Sequence, residues 1–396
     1  MGALGTWRGL HAAVSQGPEG RNARARVLDR DALGDILVGC SFLGSGGGGS
    51  LAEGRARLAD DLAAGLRFEL LGLADLDDDE WVASPYGLGS NAPPTAAEKA
   101  RFADLPPPRA DAVEASFRLL SSFLGRRFVA TIAGELGPWS TAAALSTAAR
   151  LGIPTLDADR IGRAAPEATQ DSVLAAGLST VPLAAVTGLG DSLILQKVAG
   201  GSRVEDLLRA ISVASLGELG VTDAALSGQY AKRPGVLVAG SLSLAERIGQ
   251  ASRHAVAARS DPLEAVRAAG GGIRLFEGKV VAFPWKDAAG FLAGEVTIKG
   301  TGPFSGSHYR VLFRNENIVA WRDDKVSVAP PDLIAIADTI TGAAIANPEF
   351  KAGQPVTVLG FPAAAIWRTP AGLALFGPAH FGFDFPYRPI EDQPRL

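Results

Sequence analysis

The groups in this chain that could do chemistry fall into a few short stretches. Glu135 sits in Gly134-Glu135-Leu136-Gly137-Pro138, and Asp157 and Asp159 share Asp157-Ala158-Asp159, with Arg163, Glu167 and Gln170 just beyond. Such carboxylates can move protons or hold a divalent metal, the one cofactor this residue set suggests, with Asp157 and Asp159 as its ligands. Glu316, within Asn315-Glu316-Asn317, is placed either in an Asx-rich turn or at a domain interface as an acid or base. Cys40 is the sole thiol. It is a nucleophile if positive charge lowers its pKa, and otherwise a packed apolar side chain. The four histidines are His11, His254, His308 and His380. They form no H-E-x-x-H or clustered pair, so no histidine-rich zinc pattern is present. His308 and His380, on loops, are better placed for a site than His11 in the tail or His254 among alanines.

A run of four glycines, Gly46, Gly47, Gly48 and Gly49, is the stretch around which these groups can be organised. Upstream, Leu33, Ile36, Leu37, Cys40 and Leu43 recur with helical spacing, and Asp29 or Asp31 can cap that helix. Downstream, Ser50 can cap a second helix running to about residue 64. The run therefore predicts a tight helix–loop–helix corner whose bare amides would face an anion or a polarised carbonyl. Gly44-x-Gly46-x-x-Gly49, with Glu69 twenty residues on, also matches a dinucleotide-binding spacing. That fingerprint requires a strand before the first glycine, and the upstream period is helical. A close backbone crossing with no room for side chains is the purely structural alternative.

The elements that must position the carboxylates follow from pattern. Residues 128–133 read as a buried strand, 138–151 as a helix and 153–156 as a second strand. This crossover implies parallel strands with ligands at their carboxyl ends, where Glu135, Asp157 and Asp159 fall. The bland alternative has Asp157 and Asp159 capping and Arg163 pairing with Glu167. Further strands are expected at 66–71, 80–84, 181–187 and 192–198, and helices at 112–124, 204–214 and 236–257. A loop is expected at 87–94 and an irregular, partly helical connection at 216–234. After Gly270-Gly271-Gly272 the chain reads as β-rich, beginning with a hairpin at 274–276 and 279–283. Strands at 294–299, 309–313, 318–321, 333–337, 355–361 and 373–376 continue it. The expectation is a tail at 1–26 and an α/β N-terminal domain with parallel strands and crossover helices at 27–178. A β-rich, barrel- or swivelling-type C-terminal domain with some helices takes 179–396.

Bulk properties narrow the partners. Lys and Arg total 38 against 42 Asp and Glu, with no basic run, which disfavours nucleic acid and anionic membranes. No run of eighteen apolar residues suits a membrane span, and residues 1–26 lack the apolar core of a signal peptide. A single cysteine excludes an internal disulfide framework and fits a reducing compartment, so a cytoplasmic protein acting on a small molecule is expected. The abundant alanine leaves a self-association face open, and with it a homo-oligomer.

The glycine corner, the segment 135–151, the run Asp157-Ala158-Asp159-Arg160-Ile161-Gly162-Arg163-Ala164-Ala165-Pro166-Glu167, the Asn315-Glu316-Asn317 turn, Pro331-Asp332-Leu333-Ile334 and Gly377-Pro378-Ala379-His380-Phe381-Gly382 occur in that order. Together they resemble the bacterial S-methyl thiohydantoin desulfurase family, related in context to hydantoinase and oxoprolinase enzymes. The resemblance runs from about Asp29 onward. It implies an α/β domain, a swivelling-type β domain, and hydrolysis of an S-methylated thiohydantoin to a hydantoin and methanethiol. After Glu135 the family tends towards Gly-Gly-Asn-Ser, whereas this chain has Leu136-Gly137-Pro138-Trp139-Ser140, a departure that bears on substrate more than on fold. The residues expected to do the chemistry are Glu135, Asp157, Asp159, Cys40 and Glu316. Substrate contacts are expected from Gly46, Gly47, Gly48, Gly49, Arg163, Glu167, Asn315 and His380. Two alternatives stand beside this: a non-catalytic ligand-binding or regulatory partner of a hydantoinase-type enzyme, and a nucleotide-binding enzyme using the glycine loop.

Overall fold

The computed structural model describes residues 24–89, 95–106, 108, 110–200, 202–288 and 291–392. The helices are α1 (Arg30–Leu43), α2 (Leu51–Ala63), α3 (Ala96–Arg101), α4 (Ala112–Leu124), α5 (Pro138–Leu151), α6 (Ser172–Ala175), α7 (Ser202–Ala214), α8 (Gly228–Ala231), α9 (Ser241–Ala257), α10 (Pro262–Ala269) and α11 (Pro370–Phe376). The first sheet takes β1 (Arg26–Leu28), β2 (Phe68–Leu71), β3 (Trp81–Gly89), β4 (Phe128–Ala133), β5 (Thr155–Asp159), β6 (Leu183–Thr187), β7 (Ser192–Leu195), β8 (Glu218–Ser227) and β9 (Val238–Ala239). The second takes β10 (Ile273–Ala282), β11 (Trp285–Ala288), β12 (Phe291–Gly300), β13 (His308–Arg314), β14 (Glu316–Arg322), β15 (Lys325–Val328), β16 (Leu333–Asp338) and β17 (Pro355–Phe361).

Local chemistry explains the parts that hold the site. Asp29 caps α1 by accepting from the Ala32 amide, and Ser50 caps α2 by accepting from Glu53. Pro138 opens α5, where its missing N–H costs nothing. The first sheet runs β1-β2-β5-β4-β3-β8-β6-β7, with β9 on β5. Its centre, β2-β5-β4-β3, is parallel, as the crossover helix α5 requires. The second sheet, β15-β14-β13-β12-β10-β17-β16 with β11 on β12, is antiparallel and curls into a half-barrel. One apolar core joins the two. Ile36, Leu37 and Cys40 of α1, Leu145 of α5 and Leu242 of α9 pack with Leu333 of β16, Leu359 of β17 and Trp367.

Several expected elements differ. The connection at 216–234 is partly helical as expected, in α8, but its first part is the strand β8, which extends the first sheet by pairing with β3 and β6. The helix expected from 236 starts only at Ser241, because Val238 and Ala239 first pair with β5 and Gly240 turns the chain with φ 72°. Gly87 to Gly89 belong to β3 and not to a loop, while 90–94 lie outside the described residues. The hairpin around Glu277-Gly278 is a single strand, β10. Gly278 is not a turn residue there: a Cβ on it would lie 2.2 Å from the Lys299 carbonyl oxygen, so the glycine allows a close crossing. Residues 373–376 are the end of α11, started by Pro370 and capped by Thr369. Helix α10 and strands β11 and β15 had no sequence counterpart. The first sheet continues well past residue 178, where a domain boundary was expected.

Candidate active site

The glycine loop joins α1 to α2 and is gripped from both sides. The Ser45 carbonyl accepts from the Asn317 amide at 2.7 Å, and the Gly46 carbonyl accepts from Asn347 at 2.9 Å. On the other side the Gly48 carbonyl accepts from Trp139 at 3.0 Å and Ser140 at 3.2 Å, at the start of α5. A Cβ on Gly47 would lie 2.0 Å from Glu316 Oε1, and one on Gly48, which has φ 75°, would lie 2.3 Å from Gly137 Cα. No side chain fits. The run is glycine because β14 and the start of α5 close on it. The amides of Gly46, Gly49 and Ser50 find no backbone acceptor among the described residues. A helix precedes the loop, so the strand that a dinucleotide fingerprint requires is missing.

A cleft of about 920 Å³ opens over this loop, walled by both sheets. Glu135 and Glu316 both line it. Glu135, just past the carboxyl end of β4, accepts at Oε1 from the Ser140 hydroxyl at 2.7 Å and at Oε2 from the Ala165 amide at 3.1 Å. Glu316 opens β14, is 4% exposed, and its Oε2 has no partner among the described residues. Burial drives both carboxyls above the usual carboxylate range, and the negative charge of Glu135 pushes Glu316 further. The two therefore share protons as a pair. Glu316 also accepts from the Gly48 amide and its own amide, yet it stands further above its ordinary value because the Glu135 charge adds to its burial. Glu135 is therefore the member that ionises first, and Glu316 holds its proton longer.

Arg163 ties the walls together. It is fully buried, and its guanidinium donates to the carbonyls of Ala164 at 2.9 Å, Pro331 at 3.0 Å, Asp332 at 3.0 Å and Asn317 at 2.9 Å. Its own carbonyl accepts from the Leu136 amide at 3.2 Å. One residue thus braces the neighbours of both Glu135 and Glu316. Burial lowers its pKa to about 10, so it stays charged at neutral pH. Elsewhere on the wall, Arg160 is held between Asp171 and Asp223, and Asp223 also accepts from the Tyr86 hydroxyl at 3.1 Å. Glu167 accepts from Arg314 at 2.6 Å and contacts His380 Nε2 at 3.0 Å. The His380 bond, with the Arg314 charge, holds its carboxyl below the usual range.

Of the residues singled out in the sequence, Gly46 to Gly49, Glu135, Glu167, Asn315 and Glu316 line the cleft. His380 stands behind Glu167. Cys40 does not line it. Its thiol is buried 3.4 Å from the Thr141 hydroxyl and pushed up to about 12 by burial, which removes the nucleophilic reading. Asp157 caps α9 through the Ser243 amide at 2.9 Å and hydroxyl at 2.5 Å. Asp159 Oδ2 accepts from the Ile161 and Gly162 amides at 2.9 and 2.6 Å. Of the two expected metal ligands, Asp157 thus spends both oxygens on the start of α9, and Asp159 spends one of its two on a chain turn. No group of three or more His, Cys, Asp or Glu able to hold a metal is present among the described residues. Arg163 bonds to carbonyls and does not pair with Glu167. Sequence reasoning missed Tyr86, Trp139, Arg160 and Asn347, which also line the cleft. Arg160 stood inside the Asp157–Glu167 run that carries the family resemblance, and Trp139 inside the stretch that departs from the family pattern, whereas nothing in the local pattern marked Tyr86 and Asn347.

The family model for the S-Me-THD-like N-terminal domain matches residues 31–197, and that for the S-Me-THD-like C-terminal domain matches 199–390. No curated protein matches the chain. An X-ray crystal structure of a Chromobacterium violaceum protein superposes with a TM-score of 0.70 at 23% identity, covering 92% of this chain and 100% of the other, a likeness of fold. With both domain models matched in order, the chain belongs to the S-Me-THD-like family, the S-methyl thiohydantoin desulfurase family that its motifs resemble.

Proposed function

We propose that the protein hydrolyses a hydantoin-like small molecule, with S-methyl thiohydantoin as substrate and hydantoin and methanethiol as products. The observation that carries this reading is the unequal carboxyl pair, Glu135 and Glu316, at the cleft wall beside the glycine loop. Displacing a thiolate from an amidine-like carbon needs one group to take a proton from water and another to give one to the leaving sulfur. The Glu135 carboxylate takes a proton from water as its oxygen adds to the ring carbon bearing S–CH3, and the C=N electron pair moves to the ring nitrogen. The glycine-loop amides without a backbone acceptor stabilise that developing charge in this reading. The C–S bond then breaks, and methanethiolate leaves with the proton of Glu316. Glu135 returns its proton to the ring nitrogen, and Glu316 recovers one from the new hydroxyl as it becomes the carbonyl. Water has supplied both protons, and each carboxyl ends as it began.

Thiol release from a panel of S-methyl thiohydantoins tests the reading. Glu135→Gln and Glu316→Gln should each lower kcat by ~10²–10⁴-fold, and chelator should leave release unchanged, since no step uses a metal. Undiminished turnover in both variants would remove the carboxyl pair from the chemistry. No release from any member would overturn the desulfurisation reading.

A further inference from the structure

Asn347 lies in the loop between β16 and β17 and faces the same cleft as the glycine run. Its polar atoms can be accounted for one at a time. The backbone amide donates to the Gly46 carbonyl at 2.9 Å. The side-chain Nδ2 donates to the Asn315 carbonyl at 2.8 Å and to Asn317 Oδ1 at 3.1 Å. Asn317 in turn passes the chain on, donating from Nδ2 to the Ile334 carbonyl at 2.9 Å. Two acceptors facing one end of the Asn347 amide fix which atom is nitrogen, so the amide cannot be flipped. What remains is Oδ1, buried and without a partner among the described residues. An amide that donates into such a chain becomes a stronger acceptor, and leaving that acceptor unmade is costly. Around the glycine loop, Glu316 Oε2 and Ser45 Oγ are further buried oxygens without a hydrogen-bond partner among the described residues.

We propose that Asn347 Oδ1 accepts the ring N–H of the substrate and makes the site specific for rings that carry one beside the attacked carbon. This rests on the hydrolase reading above. An S-methyl thiohydantoin has one N–H and one imine nitrogen flanking that carbon. Holding the N–H at Asn347 selects the tautomer and leaves the imine nitrogen for protonation. A site built around a hydrogen bond to a substrate N–H rejects the analogue that lacks it, because its own polar group is then stranded.

The test compares S-methyl thiohydantoin with its two N-methyl derivatives, neither of which has a ring N–H, on the wild-type protein and Asn347→Ala. The wild type should prefer the N–H form by about 10-fold or more in kcat/KM. Asn347→Ala should raise KM for that form and erase the preference, with kcat changed less. Equal turnover of all three by the wild type, or an undiminished preference in Asn347→Ala, overturns the proposal. Calorimetric binding of hydantoin against 1,3-dimethylhydantoin separates this from the hydrolase reading. If no thiol is released but hydantoin binds in preference to its dimethyl form, and does so only with Asn347 intact, desulfurisation fails and the N–H acceptor stands. If neither ring binds and no thiol is released, the acceptor falls too. Should Asn347→Ala not fold, the wild-type comparison with the N-methyl forms decides alone.

Discussion

Asp159 is fully buried at the end of β5, and burial pushes its pKa up to about 7 from an ordinary 3.8, against the pull of the Ile161 and Gly162 amides. Its other oxygen, Oδ1, accepts no full hydrogen bond among the described residues, and the nearby Ser241 side chain adds to the downward pull. A carboxyl whose folded pKa is raised binds its proton more tightly in the native state. Its stabilising contribution is therefore complete below about pH 4 and is lost as pH rises through 7. Asp159→Asn keeps an acceptor for the two amides and has nothing to ionise. Thermal melts should show the wild type losing stability relative to the variant between about pH 4 and pH 7, by an amount on the order of a few kcal/mol, while turnover at pH 7 is unchanged. Parallel pH curves, or a collapse of turnover, would contradict this account. Glu135 and Glu316 illustrate what residue-level reading reaches. The position of Glu135 at a strand end and of Glu316 in a polar turn marked both as candidates, but their pairing is a tertiary fact that links two sheets. The strand-end argument also pointed to Asp157 and Asp159, because it locates a residue along a strand without saying whether its oxygens face the cleft or the next turn.

Among the elements, the helix–glycine–helix corner was the most legible, since helical spacing, two caps and the glycine run all pointed to one structure. The loop's purpose was less so. Its carbonyls are held by both walls, and the absence of side chains is required by Glu316 on one face and Gly137 on the other. Gly47→Ala sets a methyl 2.0 Å from Glu316 Oε1. It should cost about 1–3 kcal/mol, lower Tm by a few degrees in calorimetry, and cut turnover by displacing the carboxyl. Gly34→Ala is the informative control. Gly34 lies within α1 with nothing near its would-be Cβ, so the change should leave stability equal or slightly higher. Equal melting and turnover for Gly47→Ala would show that the loop relaxes freely and that its fit to Glu316 is incidental. The elements that escaped the sequence share a cause. β8 carries Gly220 against the start of α4 and Asp223 on Arg160, so its period is set by neighbours and not by a solvent face. Gly278 in β10 reads locally as a turn, although its glycine serves a crossing.

At the scale of the molecule, the site exists only because the two sheets are held in register, and Arg163 is the residue that spans them. Its guanidinium binds Asn317 beside Glu316 and the Pro331-Asp332 segment that leads into β16, while its carbonyl binds Leu136 beside Glu135. Asp332 is itself fixed by Arg368 at 2.8 Å, by the Tyr387 hydroxyl and by the Ala363 and Ile390 amides, so the far end of the tie is rigid. Sequence analysis placed Arg163 in the binding set, within the Asp157–Glu167 run that carries the family resemblance. Four carbonyl partners, three of them from the second half of the chain, could not be read from that run. Lysine preserves the charge but offers a single point donor in place of a planar fork, and it cannot reach carbonyls on several sides at once. Arg163→Lys should therefore strand buried carbonyls, lower stability by about 3–5 kcal/mol, and reduce kcat more than it changes KM, because it alters the alignment of the carboxyl pair and not the cleft lining. Amide hydrogen exchange gives the readout specific to a tie between sheets. Protection should fall at Asn317 and around 331–334 well before it falls at the α1 core. Uniform loss of protection would make Arg163 an ordinary core residue, and unchanged protection with intact turnover would mean that the register of the two sheets is set elsewhere, in the apolar contacts of α1 with β16.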